Sequence, residues 1–556
     1  MKKTLYTFFC LIIGALLLTT PSCNDVDDPV IGDPGIPEFV SSNPADGTTN
    51  IDLGKENPNG DMTIVLTYDQ NIFFPSAGLE KITINNGASV TSVSGKLLKL
   101  TIEITGLQKG ETYQLTVPEG VVVGPTYTGA PEVTIGFSVK GDPVITTSLC
   151  NPNATAQAVK LYEYLRGIYK EKVLSGTMAN VNWNVENADA VFNLTGKYPA
   201  MNTFDYVHLP FSPANWIDYS DITPVKNWSD AGGIVSLMWH WNVPVSARPW
   251  EGETAMPGDW SGSVQLTDAA AVQSFAVAKE GDIVRVTIKD VAAGAQGSIK
   301  GSDWAQIATG YEYFDISGSS YEMTITSDIL TKLQASGLII GGHDYTVTGI
   351  YIIPANSQSD YAFYKEQTYF DAAKATTEGT FENEVFTADL AKVATSLKQL
   401  QSEGIPVIWR PFHEAAGGWF WWGKDAESCK KLWIAMFDYL KTEGVNNLIW
   451  VWTSEDSDDD WYPGDAYVDI IGRDLYDKDA AACKSAYETE FDRYGHKIIA
   501  LTENGSVGLI SEQWAAGARW AWFMPWYGAE HATDEWWQDA MNQTYVITRD
   551  QLESFK

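Results

Sequence analysis

The chain has 556 residues, more than one ordinary core encloses, so two to four domains are expected. Hydrophobic residues make up 44% and aromatics 12%, with 22 Trp, so the chain folds and has many flat rings to place against packed or sugar-like surfaces. The 37 Lys+Arg against 71 Asp+Glu give a formal net charge of −34, which excludes the basic face a nucleic-acid partner needs and suits a neutral substrate.

In chain order, Lys2 and Lys3 followed by the apolar Leu5–Thr20 form a targeting segment, too short and too near the end for a stop-transfer helix. Thr20-Pro21-Ser22-Cys23 resembles a bacterial lipobox, although Pro21 stands where a small or aliphatic residue is usual. That resemblance implies a signal peptide over 1–22 and lipidation of Cys23. The acidic run from Asn24 to Asp28 is similar to the export signal of Bacteroidetes surface lipoproteins. The expected location is then the outer-membrane surface, with the lipid as the sole membrane contact; a periplasmic or secreted protein with a free Cys23 is the alternative. No other apolar run is long enough to span a bilayer. Beyond Cys10 and Cys23 the cysteines are Cys150, Cys429 and Cys483, without CxxC spacing, so neither a zinc site nor a redox motif is indicated. One disulfide with a thiol left over and three buried thiols both fit.

Residues 23–37 form an acidic linker rich in Asp, Pro and Gly. Over 38–141 the apolar pattern has period two, as in Met62-Ile64-Leu66-Tyr68, Leu98 to Ile104, Tyr113 to Val117 and Val133 to Val139. This predicts a small β-sandwich, and it resembles the bacterial immunoglobulin-like domains that space surface enzymes from their membrane.

From about residue 150 short apolar runs alternate with helical patterns. The predicted strands are Lys172–Thr177, Tyr198–Thr203, Gly233–Trp241, the run opening Ile405–Gly423, Asn447–Trp452, Val468–Arg473, Lys497–Leu501 and Arg519–Met524. Eight strand–helix steps predict a (β/α)8 barrel over 150–255 and 355–556, with its site at the C-terminal strand ends. Within it, 256–354 returns to period two and is expected to be a β-sandwich inserted after the third barrel strand. The insert resembles jelly-roll carbohydrate-binding modules but shows no line of exposed aromatics, so structural and glycan-binding roles both remain open.

Lining up the strand ends puts Glu414 after strand four and Glu503 after strand seven. Two carboxylates at one barrel mouth suit glycoside hydrolysis, one protonating the leaving oxygen while the other attacks the anomeric carbon. The run W-R-P-F-H-E-A-A-G-G-W-F-W-W-G over Trp409–Gly423 resembles the acid/base signature of glycoside hydrolase family 26, best known for β-mannanases. The likeness extends to Ser175-Gly176, to Met238-Trp239-His240-Trp241-Asn242, to Gly472-Arg473-Asp474-Leu475-Tyr476 and to Thr502-Glu503-Asn504-Gly505.

The resemblance implies roles for single residues. Glu414 matches the acid/base and Glu503 the nucleophile, with Tyr476 placed to hydrogen-bond Glu503 and His413 to orient the pair and the sugar 2-hydroxyl. His240 and Trp419 match sugar-contacting positions, His240 also fitting a satisfied core histidine. Trp526 is the expected floor under the reacting sugar, with Trp522 as a rival, and Arg410 is read as a salt-bridge partner. No cofactor or metal is expected. His413-Glu414 begins like H-E-x-x-H but has Gly417 where the second His belongs, and Ser454–Asp465 lacks EF-hand spacing and reads as a solvated acidic loop. The expected activity is a monomeric, retaining endo-1,4-β-mannanase acting on polysaccharide. A mixed-linkage β-glucanase or β-1,3-xylanase is the alternative within the class, and a non-catalytic glycan-binding surface lipoprotein the alternative outside it.

Overall fold

The computed structural model describes residues 35–556 apart from 55–56, 58, 181–182, 213–216 and 356–359; the leader, Cys23 and most of the acidic linker lie outside the described residues. The chain divides into two compact units, Met1–Pro143 and Val144–Lys556.

The first unit contains two four-stranded sheets. One runs in the order Phe39–Asn43, Met62–Tyr68, Lys99–Thr105, Ser89–Lys96, and the other Thr48–Ile51, Val133–Val139, Thr112–Val117, Thr83–Ile84. Alternation decides what is buried: Ile64, Leu66, Leu100, Ile102, Leu115 and Ile135 point inward and are almost fully buried. The strand Ser89–Lys96 was not legible, because its serines and valines do not alternate cleanly; a register shift between Val90 and Ser92 explains the break.

In the second unit eight parallel strands close on themselves. They are Val173–Met178, Met201–Asp205, Ile234–Met238, Val407–Arg410, Leu448–Ser454, Ile470–Tyr476, Ile498–Gly505 and Trp522–Pro525, with the eighth and the second both pairing with the first. Nearly every residue in them is buried, as expected of strands covered on both faces. The short Val546–Ile547 adds a parallel partner to Val173–Leu174. Helices Glu186–Thr195, Thr223–Asp230, Phe381–Ser402, Ala426–Thr442, Ala480–Tyr494 and Ile510–Ala516 return the chain between strands.

One of the eight expected steps lacks its helix. Among the described residues, strands five and six are joined by an irregular segment, since S-E-D-S-D-D-D-W-Y-P-G-D has no apolar face to lay on the sheet. Nor is this loop simply solvated: Asp458 is fully buried and accepts hydrogen bonds from Trp452 Nε1, from the Glu455 N–H and from Arg493. The cysteines Cys150, Cys429 and Cys483 are free thiols.

The insert starts earlier than residue 256. Its first strand is Ala247–Met256, which pairs antiparallel with Tyr345–Ile353 through two register shifts; A-R-P-W-E-G-E-T-A-M alternates poorly for that reason. Two four-stranded sheets follow. The first is Ala247–Met256, Tyr345–Ile353, Ile283–Lys289, Ser320–Thr324, and the second Ser263–Leu266, Leu338–His343, Gln296–Lys300, Phe314–Asp315. Gly341-Gly342 lie in the strand Leu338–His343, and Asp344 alone makes the reversal at φ 63°. Val243–Pro244 and Tyr361–Ala362 pair where the chain leaves and rejoins the barrel, and Arg248 and Arg285 tie the insert to Glu382 and Glu384 on the long helix Phe381–Ser402.

Candidate active site

Strand four ends because Pro411 has no N–H to continue the ladder. Its last residue, Arg410, pairs with Met238 of strand three, and beyond it Phe412 and Glu414 take left-handed backbone angles, φ 48° and 52°. Non-glycine residues held there cost about 1–3 kcal/mol each, and such strain concentrates at functional sites. The kink turns Glu414 out of the strand direction while burying Phe420, Trp421 and Trp422; Trp422 Nε1 donates to the His413 carbonyl and Trp421 Nε1 to that of Trp241. Of the four clustered aromatics only Trp419 is exposed, at 42%. Its indole N–H donates to Glu414 Oε2 at 3.0 Å, and its ring lies where a Cβ on Gly417 would collide.

Strand seven supplies the second carboxylate through a bulge. Arg473 pairs with Leu501 but Asp474 pairs with Glu503, so Thr502 is the extra residue. Thr502 fits only because Gly472 opposite has no side chain, and its hydroxyl donates to Asp474 Oδ1 at 2.7 Å. The bulge thereby sets Glu503 opposite Asp474. One oxygen each of Glu414, Asp474 and Glu503 lies within 4.8 Å of the others. Arg410, fully buried beneath them, donates to Glu503 Oε2 at 3.0 Å and to Asp474, and Tyr476 Oη donates to Glu503 Oε1 at 2.7 Å. Both Glu503 oxygens thus face donors.

The two glutamates sit in different surroundings. Burial, reinforced by the negative charges of Asp474 and Glu503, pushes Glu414 far above the ordinary carboxylate range, with Arg410 only partly opposing. Burial also raises Asp474, which receives a hydrogen bond from Glu414. The Tyr476 phenol is pushed up by burial and by the Glu503 carboxylate, so it stays a donor. Glu414, kept protonated, can serve as the acid while Glu503, with both oxygens met by Arg410 and Tyr476, serves as the nucleophile. The three carboxylates have the composition of a metal site, yet Arg410 already bonds two of them and supplies the positive charge there.

The other expected residues gather around this centre. His413 is buried with its Nδ1 making no hydrogen bond, and burial, together with His240 and Arg410, holds its imidazole well below the usual histidine range. His240 lies edge-on to His413 at 4.5 Å, with its Nδ1 2.6 Å from Asp205 Oδ2, which leaves Nε2 for a ligand. Trp526 is half-buried beside His240 at 5.5 Å, whereas Trp522 is buried within strand eight and cannot form a floor. Sequence reasoning assigned no role to Asp474 or Asp205. Both are carboxylates at or next to the end of an apolar run, and that signal could have found them. Phe363 and Tyr364, which rejoin the site from the far end of the insert against His240 and Phe420, carry no such signal.

With this geometry in place, comparison with known proteins is direct. The model of glycosyl hydrolase family 26 matches residues 150–303 and 298–551, and the chain belongs to that family. A bacterial Ig-like domain model matches residues 33–138. The family 26 domain of an endo-β-mannanase/endo-β-glucanase from Prevotella bryantii is 36% identical, over 73% of this chain and 99% of that one, with a TM-score of 0.52. A mannan endo-1,4-β-mannosidase of Thermothelomyces thermophilus is 28% identical over 74% of this chain and 64% of its own length. Mannan endo-1,4-β-mannosidase B of Piromyces sp is 37% identical over 40% and 39%. The chain therefore spans less than two thirds of the length of these two curated relatives.

Proposed function

We propose that the chain is a retaining endo-1,4-β-mannanase that hydrolyses mannan, glucomannan or galactomannan. The observation that carries this is the carboxylate pair, with nearest oxygens inside 4.8 Å. Retaining glycosidases separate the two carboxyl groups by about 5–5.5 Å, and inverting ones by about 6.5–9.5 Å to admit a water. Glu414, protonated by burial and charge, gives its proton to the glycosidic oxygen while Glu503 attacks C1 from the opposite face. The covalent glycosyl-enzyme is then opened by a water whose proton returns to Glu414. Tyr476 and Arg410 aim the Glu503 oxygens, and His413, His240, Trp419 and Trp526 line the place of the reacting sugar. The choice of mannan follows the mannanases to which the chain is similar.

The test is a pair of variants assayed on polymer and on aryl β-mannosides. Glu503→Ala should abolish turnover of both. Glu414→Ala should lose the polymer but still cleave aryl mannosides with good leaving groups, which need no protonation. A Glu503→Ala enzyme with wild-type rates on polymer would remove the assignment, and faster release from xylan or mixed-linkage glucan than from mannan would replace the substrate.

The same reading makes the protein an outer-membrane surface lipoprotein anchored through Cys23, on the strength of its leader and lipobox-like sequence. Fatty-acid labelling that is lost in Cys23→Ala is the expected result; equal labelling of both would refute it.

A further inference from the structure

The second sheet of the insert carries a cleft of about 390 Å³ that the barrel chemistry does not use, a volume within the range of small-molecule sites. Its floor is the outer face of the sheet: Ser298 and Gly341 are cross-strand partners, and they alternate with Ile299 and Ile340, which are buried in the insert core. Around it stand three large rings, Trp260, Trp304 and Tyr313, exposed by 39%, 51% and 57%.

The two tryptophans are displayed by the same device. Each closes a tight turn, Trp260 N–H donating to the Pro257 carbonyl and Trp304 N–H to that of Gly301, both at 3.0 Å. Each has left-handed backbone angles, φ 62° and 64°, a region bulky side chains avoid. Each follows an aspartate whose carboxylate clamps the backbone beyond it, Asp259 accepting from Ser261 N–H and Asp303 from Ala305 N–H. Strain repeated twice to hold an indole in water does nothing for the insert core and points to a ligand. A second observation agrees. Ser298, 1% exposed, lines the cleft with a hydroxyl that makes no hydrogen bond. Buried hydroxyls are seldom left so unless something else supplies the partner.

We propose that this cleft is a second, non-catalytic binding site for a β-linked hexose chain. The rings offer flat apolar faces to the C–H faces of sugars, with Trp260 and Tyr313 set edge to face at 5.4 Å. Ser298 and the Lys300 ammonium, 5.5 Å from the Tyr313 ring, supply hydroxyl partners. A neutral ligand also suits a chain of net charge −34. That the chain is mannan rests on the function proposed above; that the cleft holds a sugar chain does not.

The experiment uses the full chain carrying Glu414→Gln, so that polymer is bound but not consumed, in native gels containing galactomannan, mixed-linkage glucan or xylan. Trp304→Ala and, separately, Gly341→Phe are added; a Cβ at Gly341 meets nothing within 4 Å, so the new ring fills the cleft without disturbing the fold. Retardation by galactomannan should weaken about fivefold in both. With Glu414 intact, the same two substitutions should leave aryl-mannoside hydrolysis unchanged and slow sugar release from insoluble mannan. Full retardation of both variants in every gel would overturn the proposal. Retardation by mixed-linkage glucan alone, lost in both variants, would keep the cleft and overturn the mannan reading instead, whereas retardation by xylan alone, a pentose chain, would overturn the hexose site as well.

Discussion

Two clusters of buried carboxylate and arginine meet back to back at strand six, and its successive residues divide them. Asp474 points into the site, where Arg410 is, among the described residues, the one cation bonded to the carboxylate cluster of Glu414, Asp474 and Glu503. Arg473 points the other way, bonding the Ser454 carbonyl and Asp456 and lying 3.6 Å from Glu455 and Glu490. Arg493 joins the second cluster through Asp458, Asp459 and the Glu455 carbonyl. Both clusters hold more acid than base, and burial raises acids in both, Glu455 to about 8 and Glu490 to about 7. The difference lies in what the donors do. In the second cluster arginine fingers bind loop backbone and so fasten an acidic segment that has no helix. In the first the donors are spent on Glu503 and Asp474, and the retained proton sits on Glu414, partly buried beside Trp419 at the mouth of the site. An excess of buried carboxylate becomes chemistry only where its proton can reach a substrate.

Removing Arg410 should sharpen that contrast most. Arg410→Met leaves two buried carboxylates facing each other without their cation, a loss of about 3–5 kcal/mol in denaturant unfolding. Turnover should fall by about 10³-fold or more, because Glu503 loses its aim. Asp474→Asn comes next. Glu414 must be protonated to act, so activity declines as pH rises through its elevated pKa. Deleting the neighbouring negative charge lowers that pKa and should move the alkaline limb of kcat/KM to lower pH, with a loss of roughly tenfold at the optimum. A limb that stayed put would mean that Asp474 does not hold Glu414 in its acid form. The smallest catalytic effect belongs to Arg493→Ala, which should cost about 1–3 kcal/mol of stability while kcat/KM stays within about twofold of wild type. An activity loss approaching that of Arg410→Met would erase the distinction between the clusters.

Much of this was legible in the sequence. Barrel strands buried on both faces announce themselves as continuous apolar runs, and strand-end chemistry such as W-R-P-F-H-E stands out because ionisable groups interrupt such a run. What stayed hidden was of three kinds. Bulged strands, Ala247–Met256 and Ser89–Lys96, lose the alternation by which strands are recognised. The acidic loop read as solvated because its arginine partners Arg473 and Arg493 are contributed from elsewhere in the chain. The rings Trp260, Trp304 and Tyr313 lie far apart in sequence and share a cleft only after two sheets have packed, although the repeated Asp-Trp of Asp259-Trp260 and Asp303-Trp304 was in plain view.

The short ribbon of Val243–Pro244 against Tyr361–Ala362 has a consequence for how such enzymes diversify. Since the chain departs and returns at adjacent points, everything between is cargo hung from this hinge and steadied by the Arg248 and Arg285 ion pairs to the long helix, and the barrel need not register its length. The residues flanking that hinge, His240 before it and Phe363 after it, nonetheless stand together at the site. Lineages can therefore exchange the cargo, and with it the surfaces an enzyme explores, while the catalytic groups inherit the same frame.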